Sequence, residues 1–132
     1  MTAVPADRSR DSLGRPLPDD ADRALAVPGV PVRSRLTDAE AWDEGLRYLA
    51  DGMPFHAHEV FEMRWRLAPA ASRTAWRALA QWGAALTHRA RGNAVGSSRL
   101  ATRALETLAE AQSVPPVIDV ALVRASCARL IA

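Results

Sequence analysis

The sequence predicts an all-α fold, a bundle of about five amphipathic helices behind an extended N-terminal arm. Three observations lead there. Apolar residues recur at three- and four-residue spacing from Ala41 onward, and glycine, proline and capping residues punctuate the chain at helix-length intervals. Alanine, the best helix former, fills 27 of the 132 positions. No segment reads convincingly as a strand.

The length suits one domain, and the composition divides it at residue 36. Residues 1–36 carry five of the nine prolines (Pro5, Pro16, Pro18, Pro28 and Pro31) and no sustained apolar period. They read as an extended arm rich in Pro, Arg and Asp, with Leu13, Leu17, Leu25 and Val27 as points of docking. Residues 37–132 read as the helical bundle domain.

The first helix, predicted over 38–51, opens on a capping box of Thr37 and Glu40, with Leu36 and Ala41 placed as a hydrophobic staple. Ala41, Trp42, Leu46 and Leu49 share its buried face, and Gly52 ends it. The second helix, 54–67, starts at Pro54, whose missing N–H is harmless in a first turn, and stops before Pro69. Ser72 caps a third helix, 73–91, with Trp76, Leu79, Gly83, Leu86 and Ala90 on one stripe. Gly92 closes it and Asn93 opens the fourth, so these two helices form an antiparallel hairpin. The fourth runs to about residue 111 and buries Leu100, Ala104, Leu105 and Leu108. After Pro115 and Pro116, Asp119 caps a last helix with Val120, Val123, Cys127, Leu130 and Ile131 as its seam.

Composition excludes several chemistries. All 17 basic residues are arginine, which removes a Walker A lysine and any Schiff-base mechanism. The single Cys127 permits neither an intramolecular disulfide nor a Cys-rich zinc site, and reads as a small packing residue. No apolar run approaches the roughly 20 residues that span a bilayer, so no membrane partner is expected. The first residues lack the apolar core of a secretory signal, and with no disulfide the expected location is cytoplasmic. Residues 1–67 hold nine Arg against twelve acids, a charge of −3, while residues 68–132 hold eight Arg against three, a charge of +5. Arg73, Arg77, Arg89, Arg91, Arg99 and Arg103 have no interleaved aromatics or nucleic-acid motif around them, so they read as solvated faces and nucleic acid is not the expected partner.

The second helix, PFHAHEVFEMRWRL, concentrates the polar chemistry. At about 100° per residue, Phe55, His58, Phe61, Glu62 and Trp65 share one face. Val60, Met63 and Leu67 form a second apolar patch, so this helix is expected to be central. His58 and Glu62 then stand one turn apart and partly buried, with Phe55, Phe61 and Trp65 as a wall. A buried carboxylate needs a donor. His58, Arg66 and the stripe Arg77, Gln81, Ala84 and His88 of the third helix are the candidates. If that stripe turns toward the second helix, Gln81 and His88 complete a cluster with His58 and Glu62. His56 lies about 160° around the cylinder from His58 and is left outside it.

The segment HEVFEMRW, from His58 to Trp65, fits the His-x-x-x-Glu-x-x-Trp signature of a bacterial and archaeal family catalogued as domain of unknown function 309. QWGAALTHRARGNAVGS, from Gln81 to Ser97, resembles that family's second block, which ends in a Gly-Asn turn and a small residue. The resemblance covers roughly residues 37–110. It implies an all-helical fold, signature positions at His58, Glu62, Trp65, Gln81, His88, Gly92 and Asn93, and at most a metal-dependent hydrolase activity.

Two functions stay open. The first is a non-enzymatic domain that binds another protein or itself, without a cofactor, in which the His58–Glu62 pair fixes helix packing. Trp42 and Trp82, read as partly exposed, would mark its partner surface, with Trp65 and Trp76 in the core. The alternative is a metal-dependent hydrolase. His58-Glu59-x-x-Glu62 resembles the His-Glu-x-x-His helix of zinc peptidases, with His58, Glu62 and His88 as ligands for zinc, manganese or iron and Glu59 as general base. Gly96 and Ser97 read as small residues for close helix approach.

Overall fold

The structure, a computed structural model, describes residues 10–16 and 27–132. Those residues form five helices and no strand: α1 (Asp38–Ala50), α2 (Pro54–Leu67), α3 (Ala70–Ala90), α4 (Ala94–Glu110) and α5 (Val120–Ile131). The chain is an all-α bundle.

Local chemistry sets most of the boundaries. Both halves of the capping box form at α1: the Thr37 amide donates to Glu40 Oε1 (2.9 Å), and the Glu40 amide donates to Thr37 Oγ1 (3.1 Å). These bonds hold the Glu40 carboxyl below its usual range. Gly52 and Gly92, at φ +73° and +82°, take the left-handed conformation after α1 and α3. Asn93 and Asp119 cap α4 and α5 by accepting from the amides of Gly96 (2.9 Å) and Leu122 (3.1 Å). Ala68 ends α2 because it precedes Pro69, and the proline ring drives it to ψ 148°.

One boundary differs from expectation. α3 begins at Ala70, three residues early, with Pro69 rather than Ser72 at its N-cap. The Pro69 carbonyl accepts the Ser72 amide (3.1 Å), so Ser72 sits inside the first turn. A proline with φ already near −60° followed by two alanines starts a helix without a side-chain cap.

The central helix is α3, not α2. It packs against α2, α4 and α5, whereas α2 lies between α1 and α3. Both faces of α2 are thereby covered at Val60 and Phe61, but Leu67 of its expected second patch is exposed. Phe61 is fully buried between Trp76 and Trp82, with ring centroids 6.2 and 6.0 Å away. Trp82 is 2% exposed and Trp42 9%, so neither marks a partner surface. Each buried indole N–H needs an acceptor. Trp82 Nε1 donates to Ser126 Oγ on α5 (2.8 Å) and Trp76 Nε1 to Asp38 Oδ1 on α1 (2.8 Å). The same Asp38 oxygen accepts Arg64 Nε from α2 (2.8 Å), so one carboxylate ties three helices. Cys127 is fully buried, and burial pushes its thiol up to about 11, which suits a packing role.

The described part of the arm lies against the bundle. Arg10 and Val27 pair through the backbone (2.8 Å), and Leu13 and Val27 are half-buried. Leu17 and Leu25 lie outside the described residues. Arg33 meets Glu44 of α1 (2.7 Å), and Leu36, 3% exposed, offers its carbonyl to Arg64 Nη1 (2.8 Å).

Gly83 brings α3 against α2. A Cβ there would stand 2.8 Å from the His58 Cα, a backbone atom with little room to yield. Gly83→Ala gains about 1 kcal/mol of helix propensity and loses about 1–3 kcal/mol to overpacking. The expected result of chemical denaturation is a net loss of stability. A variant as stable as the parent would contradict this contact.

Candidate functional site

The Gly83 contact decides what surrounds His58. With α3 so close, His58 Nδ1 reaches the Ala80 carbonyl at 2.8 Å. A carbonyl can only accept, so Nδ1 carries a hydrogen, and Nε2 is left facing Glu62 Oε2 at 3.7 Å. That is an ion-pair distance rather than a hydrogen bond. Glu62 Oε1 also pairs with Arg66 Nη2 at 3.2 Å. The His58 and Glu62 side chains are 23% and 34% exposed. The pair is half-sheltered on α2, partly buried as the helical spacing implied.

Gln81 and His88 do not join it. Gly83 faces α2, and at about 100° per residue Gln81 stands about 160° away around α3 and His88 about 140° away. The stripe holding Gln81 and His88 thus turns from α2. Gln81 Oε1 is buried without a hydrogen-bond partner, and His88 Nδ1 accepts from Asn93 Nδ2 (3.0 Å) at the turn into α4. His88 also lies about 12 Å further along the α3 axis than Ala80. Among the described residues no group of three or more His, Cys, Asp or Glu side chains is arranged to hold a metal ion. The set His58, Glu62 and His88 therefore does not fit a catalytic metal centre, because its third member belongs to another part of the fold.

The expected wall is also rearranged. Phe55 stands beside His58, with ring centroids 6.0 Å apart, and Trp65 is half-buried against the core. Phe61 points inward to the tryptophans. Glu59 is half-buried rather than free in solvent. Burial pushes its carboxyl above the usual range, and Glu62 adds to this, while His56, His58 and Arg10 oppose it. Two surface depressions, about 220 Å³ beside Tyr48 and Asp51 and about 600 Å³ between Ser34 and Leu67, have neither His58 nor Glu62 in their walls.

Two features of α2 escaped sequence reasoning. His56 is 1% exposed, its Nε2 donates to the Pro28 carbonyl (2.8 Å), and its ring lies 5.3 Å from Tyr48. Its position opposite His58 was legible, but that side is covered by the arm instead of water. Phe55 carries two guanidinium groups, Arg10 and Arg91, which no helical period could have brought together.

The two carboxylates of α2 make separable predictions. A folded-state pKa raised by burial means that the charged form costs stability, which is recovered as pH falls below the ordinary glutamate value. Glu59→Gln should therefore raise the melting temperature at neutral pH, with the gain gone near about pH 4. Glu62→Gln removes only solvent-screened pairing and should change stability by less than about 1 kcal/mol. Thermal melts of both variants across pH check this; a large loss in Glu62→Gln would mean a far more sheltered pair.

No curated protein and no solved structure matches the chain. A family model does match, from Trp42 in α1 to Leu100 in α4, a stretch that holds His58, Glu62, Gly83, His88 and the Gly92-Asn93 turn. That model is of the family described as Domain of unknown function (DUF309), to which residues 42–100 of the chain are similar.

Proposed function

We propose that the chain is a non-catalytic helical module that binds an acidic protein surface. One observation supports this above the others. All eight arginines of residues 68–132 are exposed, and none forms an ion pair with a described carboxylate. In the first half, by contrast, Arg15, Arg33, Arg47, Arg64 and Arg66 pair with Asp11, Glu44, Asp43, Asp38 and Glu62. Five of the eight described acids of that half are occupied within the chain, which favours a foreign acidic partner over a second copy. Arginine suits the task, because its planar fork binds carboxylates in pairs of parallel hydrogen bonds. Arg99 and Arg103, one turn apart on α4, present two such forks on one face.

The metal-dependent hydrolase reading retains one supporting observation, the His58 tautomer that leaves Nε2 turned toward Glu62. It requires a ligand from outside the residues expected to supply it. Titration with zinc, manganese and iron, followed by thermal shift, decides it; no shift with any of them removes that reading.

The acidic-partner proposal is tested with poly-L-glutamate and a DNA duplex of matched charge at two salt concentrations. Poly-L-glutamate should bind, weaken with salt, and lose about threefold to tenfold affinity in an Arg99→Gln, Arg103→Gln double variant. DNA binding as tight or tighter at equal salt would overturn the protein-partner reading, as would failure of poly-L-glutamate to bind.

A further inference from the structure

Arg91 differs from the other seven exposed arginines of its half. Its guanidinium carbon lies 5.8 Å from the centre of the Phe55 ring, and the Arg10 carbon lies 5.2 Å from the same centre. The two residues come from the arm and from the end of α3. Both guanidinium groups are held by consecutive peptide carbonyls of one loop. Arg10 Nη1 donates to the Gly14 carbonyl (2.6 Å), and Arg91 donates to the Leu13 carbonyl through Nε (3.2 Å) and Nη2 (3.0 Å).

That loop is built to sit there. Gly14 has φ +78°, and a Cβ on it would overlap the Phe55 ring, so only glycine fits. Asp11, the loop's own carboxylate, is already committed. Its Oδ1 accepts from the amides of Leu13 and Arg15 (2.9 Å each) and its Oδ2 from Arg15 Nε (2.8 Å). Among the described residues neither Arg10 nor Arg91 makes an ion pair, and Glu59, the nearby acid on α2, does not close one. Two guanidinium groups therefore share the Phe55 ring, with Asp11 and Glu59 near enough to be felt but, among the described residues, with no carboxylate in an ion pair with either. Arg10 Nε and Nη2 and Arg91 Nη1 remain as donors without a described protein acceptor.

We propose that Arg10 and Arg91, mounted on Phe55 and the 10–16 loop, form a binding site for a phosphate group, either as inorganic phosphate or as a phosphate ester. A tetrahedral dianion offers several acceptor oxygens to two forks at once and cancels the repulsion between them. A single carboxylate answers only one fork and one charge. This site shares Arg91 with the exposed arginines behind the acidic-partner reading but does not use Arg99 or Arg103, on which the test of that reading depends.

Calorimetric titration of the full chain with inorganic phosphate and with phenyl phosphate, at constant ionic strength against chloride, tests the site. Saturable binding is expected, and the tighter of the two compounds names the source of the group. Arg10→Gln and Arg91→Gln should each weaken it by about tenfold or more, and Arg91→Lys, which keeps the charge and loses the fork, should weaken it as well. Arg99→Gln removes the same charge elsewhere and should leave it unchanged. Circular dichroism melts establish that each variant is folded. Absence of saturable binding by either compound would overturn the proposal. So would equal weakening by Arg99→Gln, which would show diffuse attraction instead of a site.

Discussion

The contact between Gly83 and the backbone of α2 at His58 governs this molecule. A residue without a side chain lets two helices approach until backbone meets backbone, and that closeness sets how α3 is rotated. Once Gly83 faces α2, Ala80 presents its carbonyl to His58, and the tautomer of His58 follows. The same rotation sends Gln81 and His88 away. A polar cluster that looked continuous along two helices is thus divided between two surfaces by one glycine.

Polar groups in and beside the core act as fasteners between helices. Asp38 takes hydrogen bonds from an arginine of α2 and an indole of α3 on a single oxygen, and Ser126 holds the second buried indole from α5. Around Phe61 the packing is aromatic and directional, so the buried tryptophans are held both by their ring faces and by their N–H groups. Hydrogen bonds of this sort make a core of mostly small residues specific, where alanine packing alone would tolerate sliding.

Local signals were the readable ones. The Thr37–Glu40 box, Pro54, the Gly92-Asn93 turn and the Asp119 cap depend on neighbours a few residues apart, and each is present. What the sequence could not show was helix rotation, which depends on distant partners. That is why Trp82 proved buried, why Phe61 left the expected wall, and why His88 left the expected ligand set. His56 gives the same lesson in reverse: its side of α2 was read correctly, but the Pro28 carbonyl that meets it there lies 28 residues away in the chain. Of the candidate site, the His58–Glu62 adjacency followed from helical spacing, while the convergence of Arg10 and Arg91 on Phe55 required the tertiary fold.

The exposed arginines carry one further consequence. A guanidinium stays protonated at any pH a cell reaches, and no lysine is present to be acetylated or ubiquitinated on its side chain. The positive charge of residues 68–132 is therefore permanent and closed to amine-directed modification. Of the fifteen acids twelve lie in residues 1–67 and three in residues 68–132, so acidification removes negative charge chiefly from the first half and leaves both halves cationic.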